Sequence, residues 1–267
     1  MKLRASQPKA IRAIHANKGV ESWYKAQLQK LLTAMNDSML VHVEAAWKTA
    51  PPSIGFGQDA SSTTILRKAL TKWGDRWVAK YNKAATDLAR KFASRSFNTT
   101  DVAMKKALAD AGFTVPFKPT AASVEAYRAV IAENVGLIKS IPQQYLKDVQ
   151  TGVWQSAMRG GDLKTLTDEI KSKYGIAHRR AAFIARDQGN KAKAVIENVR
   201  RQELGITHAV WQHSGGGKVP RPEHVAFSGK LFDLKKGAYL EGKWVWPGTE
   251  PGCRCVSSAV IEGLSDD

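Results

Sequence analysis

Apolar residues recur at steps of three and four through most of the first 200 positions, with few breakers between them. That spacing gives a helix one buried face, whereas a strand would alternate. Tyr24, Leu28, Leu31, Leu32, Met35, Met39 and Val43 form the first such run, which Pro51 and Pro52 end. SIGFGQDASS then reads as a loop. A second run, from about Thr63 to Phe97, carries Leu66, Leu70, Trp73, Trp77, Tyr81, Ala84, Leu88 and Phe92 as its stripe. Thr100 is placed to cap a short third helix that stops at Gly112. A loop with Pro116 and Pro119 follows. Ser123 then caps SVEAYRAVIAENVGLIKSI, with Glu125 in its first turn. Pro142 suits the first turn of the next helix, PQQYLKDVQTGVWQSAMR, which Gly160 and Gly161 break. Two more helical stretches, DLKTLTDEIKSKY and AHRRAAFIARDQGNKAKAVIENVRRQEL, lead to Gly205.

After Gly205 the pattern changes. THAVWQH is rich in strand formers, SGGGK is a turn, YLEGKWVW is a hairpin about Glu241-Gly242-Lys243, and VSSAVI is a final strand. The expected fold class is therefore α+β, with a mostly helical N-terminal region and a small antiparallel β module. The expected division is a basic helical region over 1–120, a second helical part over 121–205 and a β-rich module over 206–267.

Charge follows the same division. The chain of 267 residues has 41 Lys and Arg against 24 Asp and Glu, a formal excess of +17. Residues 1–100 carry 17 basic and 6 acidic side chains, whereas residues 201–267 carry 8 of each. An excess of this size points to a polyanionic partner. Placed at 100° per residue, Lys68, Lys72, Arg76, Lys83 and Arg90 fall within an arc of roughly 80° on the second helix. Such a ridge can track phosphates by releasing counterions. No aromatic interleaving suggests base stacking, so the DNA contact it implies is sequence-independent. The N-terminus lacks the apolar stretch of a signal peptide, and no run approaches the ~20 apolar residues of a membrane span. A cytosol-like compartment and no membrane partner are expected.

The last 67 residues hold the chemistry-bearing groups. The only cysteines are Cys253 and Cys255, one residue apart and poorly placed for a disulfide with each other. With His224, and His213 as a further donor, they offer the nitrogen and sulfur ligands that zinc prefers. On a regular strand a C-x-C pair points to opposite faces, so a shared metal needs a bend, which Gly252 permits. The alternative is a hydrogen-bonded histidine beside two small core hydrophobes. Asp187, among cations in IARDQGNKA, is expected to pair locally. No Gly-x-Ser-x-Gly, P-loop or HExxH occurs, and no catalytic residue is assigned. A metal-dependent DNA-processing hydrolase using the His/Cys cluster is the alternative reading.

From about Glu133 onward the chain carries an ordered series of short segments. They are ENVGLIKSIP, IARDQGNKAKA, Gly205-Ile206 leading to Trp211, Arg221-Pro222-Glu223-His224, Gly229, Phe232 and a closing Pro-Gly-Cys-Arg-Cys. This series resembles the phage head morphogenesis family, minor head proteins similar to the F protein of phage Mu. The resemblance implies a structural, non-enzymatic protein of the virion head, made in the host cytoplasm. It implies portal protein and major capsid or scaffolding protein as partners, double-stranded DNA as a nonspecific contact, and a role in head assembly, DNA packaging or delivery. No cofactor comes with it, and zinc at His224, Cys253 and Cys255 rests on those residues alone. Some members have a C-x₂-C where this chain has Arg221 to His224, so fewer candidate ligands remain here.

Overall fold

The computed structural model describes residues 9–49, 60–158, 163–216 and 219–261. In chain order they form β1 (Lys9–Ile11), α1 (Lys18–Thr49), α2 (Ala60–Ala109), α3 (Ala121–Met158), α4 (Leu163–Glu203), β2 (His208–Gln212), α5 (Pro222–Ala226), β3 (Leu231–Asp233), β4 (Ala238–Leu240), β5 (Lys243–Val245) and β6 (Val256–Ile261). The α+β class is as expected. Pro51, Pro52, most of the SIGFGQDASS loop, Gly160 and Gly161 lie outside the described residues.

The helices are longer than their breakers predicted. No break occurs at Thr100, which is buried inside α2. Thr99 next to it donates its hydroxyl to the Arg95 carbonyl at 2.8 Å, so its polar group is satisfied within the helix. Pro142 does not start a helix but sits inside α3. A proline there removes one helical N–H. Neighbouring polar groups supply other bonds: Ser140 Oγ donates to the Leu137 carbonyl at 2.7 Å, and Arg180 donates to Ser140 Oγ at 3.0 Å. The cap of α3 is Thr120 rather than Ser123. Thr120 Oγ1 accepts from Ser123 N at 3.1 Å and Ser123 Oγ accepts from Thr120 N at 2.8 Å, a reciprocal box that satisfies two orphan donors. The two final helical stretches are one helix, α4, running through Gly175. Tyr174 and His178 flank that glycine and bond α1 through Thr33 Oγ1 (2.9 Å) and Gln29 Nε2 (3.1 Å).

The chain divides into two compact units. One comprises residues 22–90 and 132–185, the other residues 1–21, 91–131 and 186–267. These units cut across the three contiguous segments expected from composition, because each long helix gives a stretch to both.

The first unit is helical. Its core is the apolar stripe of α1 with that of α2: Tyr24, Leu28, Leu32, Met35 and Met39 are fully buried, as is Tyr81, and Trp73 and Trp77 are nearly so. Ala85, not Ala84, completes the α2 stripe. Polar bonds fix the register of the helices. Tyr24 donates to Asn134 Oδ1 at 2.9 Å, Tyr145 to Asn36 Oδ1 at 2.8 Å, and the indoles of Trp73 and Trp77 both donate to Ser38 Oγ.

The second unit holds the sheet, in the order β1-β6-β2-β3, all neighbours antiparallel, and a separate β4-β5 hairpin. Its hairpin turn at Glu241 and Gly242 has positive φ at both residues, the twist that matches paired strands. Strand β1 was invisible in the sequence: three residues pair with the far end of β6, placing Ile11 opposite Ala259. One apolar cluster joins Ile11 and Met104 to Trp211, Phe232, Val245, Cys253, Cys255 and Ala259.

Candidate metal centre

His224, Cys253 and Cys255 come from segments 29 or more residues apart and meet in this core. Pro222 starts α5, where its missing N–H costs nothing, and the short helix carries His224 inward. The cysteines lie just before β6, outside regular strand. Gly252 has φ +72°, a left-handed conformation that strains other residues. The chain therefore bends ahead of the cysteines, and Sγ of both converges on the ring. The three donor atoms all lie within 4.8 Å of one another. His224 Nδ1 is 3.6 Å from Cys253 Sγ and 3.8 Å from Cys255 Sγ. All three residues are at least 95% buried, and both cysteines are free thiols.

Neighbours hold the three in place. Trp211, fully buried on β2, packs edge-on against His224 at 5.1 Å between ring centroids, with Phe227 and Phe232 on its other sides. Arg221 donates to the Pro251 carbonyl at 3.0 Å, tying α5 to the cysteine loop. Glu223 Oε2 accepts the Glu241 N–H at 2.5 Å, tying α5 to the hairpin. Asp187 on α4 accepts the Gly252 N–H at 2.5 Å. Asp187 thus holds the bend ahead of the cysteines, and no ion pair among the described residues engages it. A Cβ on Gly248 would lie 3.2 Å from the Cys255 carbonyl oxygen and 3.5 Å from Ala194 Cβ, so this loop seats closely on α4.

Their mutual interaction pushes the two thiols in opposite directions. A hydrogen bond from Cys255, with N–H groups of Cys255 and Gly248, outweighs burial and lowers the Cys253 thiol to about 5. The same sulfur–sulfur bond, burial and the Cys253 charge raise the Cys255 thiol, against the N–H of Ser214. Among the described residues, the buried Nε2 of His224 and Nε1 of Trp211 have no conventional hydrogen-bond acceptor. A cleft of about 310 Å³ opens on the cluster, flanked by His213, Arg221 and Arg254. His213 lines it but stands outside the three-donor group, its Nδ1 accepting from Gly215 N at 3.1 Å.

The five cations predicted on α2 lie on the helical unit, away from this chemistry in sequence. Lys68, Lys72, Arg76, Lys83 and Arg90 are all exposed, and no ion pair among the described residues engages any of them. Among the described residues no helix is long and apolar enough to cross a membrane.

The chain is similar along almost its whole length to an uncharacterized protein of Haemophilus influenzae, with 29% identity over 270 residues and 98% of the chain covered. It spans 58% of that relative's length. No solved structure matches it. Residues 147–258, from the second half of α3 through the cysteine bend into β6, match the family described as Phage Mu protein F like protein.

Proposed function

We propose that the chain is a structural minor head protein of a tailed bacteriophage, joining the procapsid beside the portal and supporting head assembly, DNA packaging or delivery. The observation that carries this reading is the family match over residues 147–258. The exposed cations of α2 support contact with DNA phosphates, independent of sequence.

The reading is tested in infected cells. A tagged chain is expected to bring portal protein out of a lysate and to be present in purified heads. Heads that assemble and package DNA without it would overturn the reading.

A further inference from the structure

Two sulfurs and one ring nitrogen face each other in the cluster, and protons alone match them badly. Nδ1 of His224 has one lone pair, and two thiols at 3.6 and 3.8 Å compete for it. Both sulfurs lie in an apolar core, where sulfur anions are costly unless a cation lies beside them. The spacing suits that cation. With Zn–S near 2.3 Å and Zn–N near 2.05 Å, tetrahedral angles separate sulfur from nitrogen by about 3.6 Å. Two thiolates also cancel the charge of Zn²⁺, so the filled centre is neutral, as an apolar core requires.

We propose that His224 Nδ1, Cys253 Sγ and Cys255 Sγ bind one Zn²⁺, with the fourth coordination position open to the cleft flanked by Arg221 and Arg254. The neutral His224 then carries its proton on Nε2, leaving Nδ1 for the metal. Borderline-soft sulfur and imidazole donors favour zinc over magnesium or calcium. The open vertex takes water or a small anion, with Arg254 lining the cleft and Arg221 paired with Glu241 at 3.6 Å. This site stands or falls independently of the head-protein reading.

The full chain, purified and stripped of metal, is titrated with Co²⁺ as a spectroscopic stand-in for Zn²⁺. The expected result is one Co²⁺ per chain, intense visible bands of a tetrahedral ion and a thiolate-to-metal band in the near ultraviolet. Zn²⁺ displaces it, and added azide shifts the visible bands. Cys253→Ser and Cys255→Ser each weaken the thiolate band and lower Zn²⁺ affinity by about 100-fold or more, beyond the 10–100-fold typical of outer-shell losses. These wild-type spectra decide the matter even if a cysteine variant fails to fold. Absence of stoichiometric binding, or an octahedral spectrum without a thiolate band, would overturn the site. An azide-insensitive spectrum that His213→Ala alters would overturn the open vertex.

Discussion

Asp187 is not one of the three grouped donors, yet its carboxylate holds the Gly252 N–H and through it the bend that converges Cys253 and Cys255. Asp187→Ala removes that acceptor. Loss of a supporting partner of this kind is expected to lower metal affinity by roughly 10-fold, with the ligands untouched. Asp187→Asn keeps an acceptor oxygen and is expected to restore most of it. Competition against a zinc chelator measures both, and equal affinity in all three proteins would remove Asp187 from the site. The sequence pointed to His224, Cys253 and Cys255 as candidate donors through their chemistry, and the structure brings the three together. It did not disclose Asp187, because a carboxylate among cations looks the same whether it meets a guanidinium or a backbone amide. Nor did it separate His213 from the others: a loop histidine 11 residues before His224 is a plausible donor until the loop is built.

At the level of single elements, the apolar spacing predicted which faces are buried but not where helices stop. Leu66, Leu70, Trp73, Trp77, Tyr81, Leu88 and Phe92 are buried as their steps of three and four require. Pro142 and Gly175 are local breakers beside which tertiary bonds form, whereas α2 continues through the buried Thr100, and sequence alone carries no sign of Arg180 reaching Ser140. Gly205, by contrast, ends α4 as expected, because its positive φ and the Ile206 N–H to Arg201 carbonyl bond of 2.9 Å are local features. Strand β1 escaped notice because three residues are too few to show alternation. The end of α4 also carries a buried ionic chain. Lys193 donates to Glu197 at 2.9 Å, Glu197 pairs with Arg201, and Arg201 donates to Ser257 Oγ on β6 at 2.7 Å. Burial works against the Arg201 charge, and Glu197 opposes that effect. Glu197→Gln keeps the shape but strands two buried cations, and is expected to cost roughly 3–5 kcal/mol. Denaturant unfolding measures it; a cost below about 1 kcal/mol would show that the cations find other partners.

For the whole molecule, the excess of +17 is concentrated in the helical stretches, and the last 67 residues balance. If the exposed α2 cations meet DNA phosphates, affinity for duplex DNA should fall steeply with salt and vary little with sequence. Lys72→Glu with Arg76→Glu should lower the slope of log affinity against log salt by about two, at roughly 0.9 per phosphate contact. A slope unchanged in the double variant would place any DNA contact elsewhere.

The interleaving of the two units sets a limit on inheritance. Residues 9–21 and 91–131 complete the unit that contains the cysteine bend, while residues 22–90 complete the other. A gene fragment encoding only the family-matched stretch would supply part of each core and the whole of neither. Recombination that trades pieces of such a gene at the edges of the family match would leave apolar faces uncovered on both sides of the cut. The segment by which kinship is recognised is thus smaller than the segment that can be exchanged.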